Sequence, residues 1–109
     1  MDHQLLFVFS NPVDGHETEY DEWYDDHVAH LVGLDGFVSG QRYRLTTGMG
    51  RDELPFKYVV VYEVDGDGDA ARNSMRSGLK DGSILRSEAV DWAGMQGWFL
   101  EPMAQKVQS

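Results

Sequence analysis

The stretch that decides the fold is DGHETEYDEWYDDHVAHLVGLDGF, residues 14–37. At about 100° of rotation per residue, one stripe of roughly 140° collects its apolar side chains and one histidine: Tyr20, Trp23, Tyr24, His27, Val28 and Leu31. The acidic residues fall mostly outside this stripe and crowd the first half, where the helix dipole favours negative charge. The pattern predicts an amphipathic helix over residues 14–33, with Asp14 and Glu17 as a capping box and Gly33 at its end. Gly36 is expected to adopt a backbone conformation that other residues disfavour.

His27 lies near the middle of the apolar stripe, where a core helix would normally carry leucine. A neutral imidazole still has two polar nitrogens to satisfy after it leaves water. One interpretation is a general acid or base that faces a cavity between helix and sheet and changes charge in a useful pH range. The other is a core histidine bonded to a backbone carbonyl or a tyrosine hydroxyl.

The rest of the chain predicts four strands and a second helix. Residues 4–10 form a short apolar strand that ends at Asn11-Pro12, and residues 56–65, apolar on both faces, predict a central strand. Residues 37–47 alternate, with Phe37, Gln41, Tyr43 and Leu45 on one face and Val38, Arg42 and Arg44 on the other.

The second half of the chain continues the same alternation of elements. A helix is expected over residues 69–79, capped by Asp67 or Asp69, followed by a short helical piece at 83–88. Residues 90–100 predict the last strand, in which Gly94 and Gly97 would allow a bulge or a close backbone approach.

The resulting order is β-α-β-β-α-β, a ferredoxin-like α+β fold with a four-stranded antiparallel sheet and both helices on one face. Its 109 residues predict a single domain, residues 1–109. The other face is expected to carry Val, Ala, Met and Phe side chains and to need a cover. A second copy related by a two-fold axis is the simplest cover, so the sequence predicts a homodimer.

Composition excludes several classes of protein. A net charge of −10 argues against nucleic acid or an anionic membrane as partner. No apolar run approaches the length that crosses a bilayer, and the first residues lack the basic start of a signal peptide. The absence of cysteine excludes disulfides and thiolate zinc sites and fits a cytoplasmic location.

Four motifs resemble the dimeric α+β barrel superfamily and, within it, the EthD-like group of small proteins. They are Asn11-Pro12, Glu19-Tyr20 with Trp23-Tyr24-Asp25, His27-Val28-Ala29, and Gly36-Phe37-Val38 leading to Gln41-Arg42-Tyr43. The nine-residue spacing from His27 to Gly36 matches that group. Ala29 and Asp35 stand where its members usually have proline, and one residue fewer separates Trp23 from His27.

The resemblance implies a pocket for a small hydrophobic, often aromatic, molecule, since the superfamily includes polyketide cyclases, dehydratases, lyases, isomerases and cofactor-free monooxygenases. Fold alone does not name the chemistry. The first hypothesis is a cofactor-free enzyme that moves a proton in a lyase, dehydratase, cyclase or isomerase step on an aromatic or polyketide-like substrate. The second is a non-catalytic binding module, and the third, weaker one is a cofactor-independent monooxygenase.

The candidate catalytic residues are His27, Tyr24 and Asn11, the last of which would orient a carbonyl or an enolate. Asn11 is equally typical of a turn before proline. The candidate substrate-binding residues are aromatic or polar side chains that ordinary packing would explain about as well: Trp23, Tyr43, and Trp92, Gln96 and Trp98 on one face of the last strand.

Metal sites receive little support from the sequence. His27-x-x-His30 with Asp26 or Glu22 offers two histidines without a distant third ligand. The Asp65–Asp69 segment lacks the ligand spacing and terminal glutamate of a calcium loop, so it predicts a turn and a helix cap. We therefore expect neither a metal nor an organic cofactor.

Overall fold

The computed structural model describes residues 3–109 and has the predicted order of elements. The elements are β1 His3–Ser10, α1 Glu17–Val32, β2 Phe37–Arg44, β3 Tyr58–Asp65, α2 Asp69–Asp81 and β4 Gln96–Leu100. All strand pairs are antiparallel, and the sheet order is β2-β3-β1-β4. This is the ferredoxin-like α+β fold predicted from the sequence. No helix within residues 3–109 is long and apolar enough to cross a membrane.

Strand β3 is central, as its two-sided apolar character predicts. It pairs with β1 along its whole length, with Tyr62 opposite Leu6 and Val60 opposite Val8. Its other edge pairs with β2. The helix-facing side chains of β1 and β3 pack with both helices into the core, which contains Leu6, Tyr20, Tyr24, Leu31, Phe37, Val60, Tyr62, Val64 and Ala71.

The predicted faces of β2 are wrong because the strand has a β-bulge between Phe37 and Ser39. Phe37 pairs with Val64 and is buried on the helix side, whereas Gln41 and Tyr43 lie on the opposite face. One extra residue reverses the alternation after the bulge. The strand also ends at Arg44 rather than at residue 47.

The ends of α1 differ from the capping-box prediction. The helix begins at Glu17, His16 occupies the N-cap position, and no side chain caps the helix. The Glu17 side chain accepts a hydrogen bond from the Gly15 N–H at 3.3 Å, so Asp14 has no capping role. Gly33 ends the helix in a right-handed conformation, while Gly36 has the expected positive φ, +91°.

The segment between α2 and β4 was predicted wrongly. Residues 83–88 form no helix, because Gly82 ends α2 at φ +81° and Ile84 then turns back to donate to the Gly78 carbonyl. Burial of Ile84 holds this irregular segment against α2. The last strand is also shorter than predicted: Val90 makes only one bridge, to Pro12, and regular pairing begins at Gln96.

The sheet side chains that point away from the helices form what we call the open face. Phenylalanines and valines of β1 and β3 lie there, but Ala93 and Met95 precede β4 and Phe99 faces the cavity, so the predicted faces of the last strand are wrong. The register places polar residues at one end of the open face, His3, Ser39, Glu63 and Asp65. The rest of the open face consists of Leu5, Phe7, Phe9, Gln41, Tyr43, Val59, Val61, Gln96, Trp98 and Leu100. No element of residues 3–109 covers these side chains.

Candidate functional site

A cavity of about 250 Å³ lies between the two helices, the sheet and the segment that precedes β4. Its walls are almost entirely apolar and include two methionines and a tryptophan. The lining residues are Leu6, Val8, Tyr24, His27, Leu31, Tyr62, Met75, Leu79, Ile84, Trp92, Met95, Gly97 and Phe99. An apolar lining with a few polar groups is typical of sites that bind small apolar ligands.

His27 lines this cavity from α1, as the helical phase of the sequence predicts. Its ring stacks on Trp23 with centroids 4.3 Å apart and meets Tyr24 edge-on at 5.7 Å. No hydrogen-bond partner for its imidazole occurs within the described part of the chain. The core-histidine interpretation needed such a partner, and the structure shows none: the ring is half-buried and borders the cavity.

Burial, with a smaller contribution from the nearby His30, lowers the pKa of His27 to about 4. Removal from water penalises the charged imidazolium, so the ring is neutral throughout the physiological range. His27 therefore changes its charge at acidic pH, and not near neutral pH as the sequence had suggested. A neutral imidazole can accept a proton, but in the free protein it has no counter-charge in the cavity to stabilise the product.

A second, smaller groove of about 190 Å³ lies on the other side of His27. Trp23, Asp26, His30 and residues 83–85 line it together with His27. His30 is exposed, as predicted from its position at the edge of the helical stripe. His27 thus borders both an apolar cavity and an open groove that Asp26 and His30 help to line.

Tyr24 forms part of a buried hydroxyl network that the sequence did not reveal. Ser10 at the end of β1 donates to the Tyr24 hydroxyl at 3.0 Å and shares a 2.6 Å hydrogen bond with the Tyr20 hydroxyl. Burial is the main cause that raises the pKa of both tyrosines. The phenols therefore stay protonated, and Ser10 fixes the wall that Tyr24 contributes.

Arg42 is a second residue that sequence reasoning missed. It lies on the helix side of β2, where its guanidinium binds Asp21 at 2.8 Å and Asp25 at 3.1 Å. The same group lies 5.3 Å from the centre of the Tyr24 ring. The sequence signal is the alternation of β2. If the bulge is taken into account, that alternation places Arg42 on the side of the sheet that faces the acidic residues of α1.

The structure does not bring Asn11 to the cavity. Its side-chain amide donates to the Pro55 carbonyl at 3.1 Å and accepts from the Lys57 N–H at 2.8 Å. Both ends of the amide are thus occupied in fixing the segment that enters β3. The turn interpretation describes Asn11, and the orienting role expected for it has no support.

The predicted aromatic floor is divided between the two sides of the sheet. Trp92 lines the cavity, packs edge-on against Trp23 at 5.5 Å and donates from Nε1 to the Ser87 carbonyl at 2.7 Å. Trp98 and Gln96 lie on the open face instead, because Trp92 precedes the strand that holds them. Tyr43 also lies on the open face and is 47% exposed, so it does not meet His27.

The metal candidates are not assembled in the structure. Within residues 3–109 no three His, Asp or Glu side chains converge to hold an ion. In the expected turn before α2, the Asp67 carboxylate accepts from the Asp69 N–H at 3.0 Å, but Gly68 occupies the N-cap position and no side chain caps the helix, so the predicted cap is wrong.

No family model matches the chain, and no curated protein matches it. Solved structures do: SnoaB from Streptomyces nogalater, a cofactor-independent oxygenase, is 19% identical with a TM-score of 0.63 over 96% of this chain and 97% of that one. An EthD family protein from Bacillus halodurans C-125 is 19% identical with a TM-score of 0.58 over 94% of this chain and all of that one.

The chain shares the α+β fold of these proteins. The resemblance found in the sequence motifs is thus confirmed as a fold. Rv0793 from Mycobacterium tuberculosis shares it with a TM-score of 0.52 at 14% identity, over 98% of this chain and all of that one. Structural similarity at such low sequence identity establishes the architecture only. The chemistry therefore depends on the residues of the cavity.

Proposed function

We propose that the protein is an enzyme that removes a proton from a small, hydrophobic, aromatic substrate, with His27 as the base. The observation that carries this proposal is the imidazole of His27, which is neutral and without a hydrogen-bond partner in the described chain, in the wall of an apolar cavity. Trp23 and Tyr24 hold the ring in place through stacking and edge contacts.

The low pKa of His27 is compatible with this role because the substrate itself supplies the missing counter-charge. When a carbon acid gives its proton to the imidazole, the C–H bond breaks and its electron pair remains on the substrate as an enolate. The imidazolium and the enolate then form an ion pair inside a cavity that holds little water, where their attraction is strong. The smaller groove on the other side of His27 is open to solvent, so water there can exchange the proton that the imidazole takes up.

The fate of the enolate decides between reaction types. Reprotonation at another atom is an isomerisation, and loss of a leaving group or ring closure is a lyase or cyclase reaction. Likeness to SnoaB favours a second candidate, cofactor-independent oxygenation. In that reaction the carbanion reduces O₂ to a hydroperoxide, which loses water and leaves a ketone. The remaining alternative is a binding module that holds the same ligand without turnover.

The direct experiment is solvent deuterium exchange into aromatic ketones. The wild-type protein is incubated in D₂O with 1-indanone and 2-tetralone, and NMR follows the loss of the proton next to the carbonyl. Exchange above the buffer rate supports a base in the cavity, while ligand binding without exchange supports the binding module. Comparison of air with anaerobic buffer then separates oxygenation, which alone consumes O₂.

The same proposal includes a homodimer formed through the open face. Its support is the row of apolar side chains that no element within residues 3–109 covers, with Trp98 58% exposed. A face-to-face pair of sheets would remove this area from water. A specific interface needs about 800 Å² from each partner.

A further inference from the structure

Gly97 lies on the helix-facing side of β4, directly opposite Val8 of β1. Its neighbours Gln96 and Trp98 point to the open face, so β4 presents only Gly97 and Phe99 to the cavity. A side chain at position 97 would point into the space beneath His27 and Trp92. The glycine therefore forms a bare part of the cavity floor.

The space above Gly97 is not used for packing. A Cβ built there would have the Phe7 carbonyl oxygen at 3.9 Å and a Leu6 methyl at 4.0 Å as nearest neighbours, which is ordinary contact. At Gly40 and Gly78, in contrast, a Cβ would meet neighbouring side chains at 2.9 and 2.5 Å. Those glycines are required by close packing, whereas Gly97 leaves room.

Backbone conformation does not require glycine at position 97 either. Gly97 is not among the glycines with positive φ, and it pairs regularly within an antiparallel ladder. Glycine in a strand interior costs about 0.5–1 kcal/mol relative to alanine. Neither contacts nor φ require glycine at this exposed position of the edge strand, and its lack of a side chain leaves the volume above it free.

From this geometry we infer that Gly97 determines the size of the substrate. The inference rests on the proposed function and specifies its ligand as a flat aromatic molecule of two fused rings, one of which lies over Gly97. A cavity of about 250 Å³ is below the usual range for drug-sized ligands, which fits a molecule of this size. The flexible side chains of Met75 and Met95 on the other walls can change conformation to fit a ligand. The backbone of β4 at Gly97 cannot, because it is paired with β1.

The test compares two ligands in three proteins by isothermal titration calorimetry, with phenol as the one-ring probe and 2-naphthol as the two-ring probe. The variants are Gly97→Ala, which adds one methyl group to the floor, and Gln96→Ala, a control on the open face of the same strand. Thermal unfolding checks folding, and Gly97→Ala is expected to be at least as stable as wild type because its methyl group makes no clash.

We expect Gly97→Ala to weaken 2-naphthol binding at least tenfold and phenol binding less than threefold, while Gln96→Ala changes neither. Equal loss for both probes, or unchanged 2-naphthol binding, would overturn the assignment of Gly97 but leave the cavity as a ligand site. If the wild-type protein bound neither probe, the ligand class of the proposed function would fail as well.

Discussion

At the residue scale, burial sets the chemistry available to His27. The ring contacts Trp23 and Tyr24, and no described carboxylate or carbonyl is placed to bind it. Its lowered pKa means that the unfolded chain binds a proton near pH 6.5 that the folded chain binds only near pH 4. Folding stability from this residue is therefore complete above pH 6.5 and is lost as the pH falls toward 4.

His27→Gln should make stability less sensitive to acid. Between pH 7.5 and pH 5 the free energy of unfolding of the wild type should fall by about 1–2 kcal/mol more than that of the variant, because only the wild type must keep this imidazole neutral. Urea denaturation at the two pH values measures the difference. Parallel losses in both proteins would mean that His27 is not buried as described.

Ser10→Ala should destabilise the protein by about 1–3 kcal/mol, because it removes the shared partner of two buried tyrosine hydroxyls. Ser39→Ala is the matched control, since Ser39 is exposed and its hydroxyl donates only to the exposed Glu63 carboxylate at 3.3 Å. Chemical denaturation compares the two variants. A loss no larger than that of the control would show that the hydroxyl network contributes nothing to stability.

At the element scale, the turn between α1 and β2 depends on Gly36. Its φ is +91°, and a Cβ there would lie 2.3 Å from the Ala71 backbone nitrogen at the start of α2. The Gly36 carbonyl also accepts from the Asp65 N–H at 2.8 Å. This turn therefore ties the end of β3 and the first turn of α2 to the first helix.

Gly36→Ala should cost at least about 3 kcal/mol, the sum of an unfavourable φ and a backbone clash. Gly50→Ala is the control, because Gly50 also has a positive φ, +72°, but no neighbour within 4 Å of a Cβ. That variant should lose only about 1–2 kcal/mol. Equal effects in urea titrations would mean that the contact with α2 does not matter.

Sequence periodicity predicted the elements better than their irregularities. The phase of α1 was readable because Tyr20, Tyr24 and Leu31 repeat at helical spacing, and all three are buried. The bulge after Phe37 was not readable, since one extra residue leaves both halves of β2 alternating normally. Trp92 and Trp98 lie on different sides of the sheet because β4 begins only at Gln96. Where the strand begins depends on its pairing with β1, which the sequence of β4 alone does not reveal.

The candidate site shows the same limit. Sequence placed His27 in the cavity because that position depends only on the helix it occupies. Tyr43 and Asn11 depend on how strands and loops meet, and the structure takes both away from His27. Ser10 gave no signal, since a serine at the end of a strand is ordinary until two tyrosines from another element converge on it.

At the scale of the whole molecule, one sheet face is packed by two helices and the other is bare. An exposed apolar patch on a sheet face is typical of an association surface, and the proposed homodimer would cover it. The net charge of −10 keeps copies apart at long range, so the apolar contact has to overcome a general repulsion. Salt should therefore favour association.

Light scattering at micromolar concentration should give twice the chain mass of 12.3 kDa. Trp98→Glu should yield the monomer, because it would bury a charge without a partner at the interface. Leu85→Glu is the control, since Leu85 is 72% exposed away from the sheet. A wild-type monomer, or an unaffected Trp98→Glu dimer, would contradict the face-to-face arrangement.

Whether His27 is the base is tested most directly by deuterium exchange into 2-tetralone, per folded molecule, in wild type, His27→Gln and His30→Gln. Loss of the base should reduce exchange by about 10²–10⁴-fold, whereas His30→Gln should keep it within about threefold. The wild-type pH profile of kcat/KM should bend near pH 4, where free His27 titrates, rather than near 6.5. Exchange by folded His27→Gln at the wild-type rate would contradict the account.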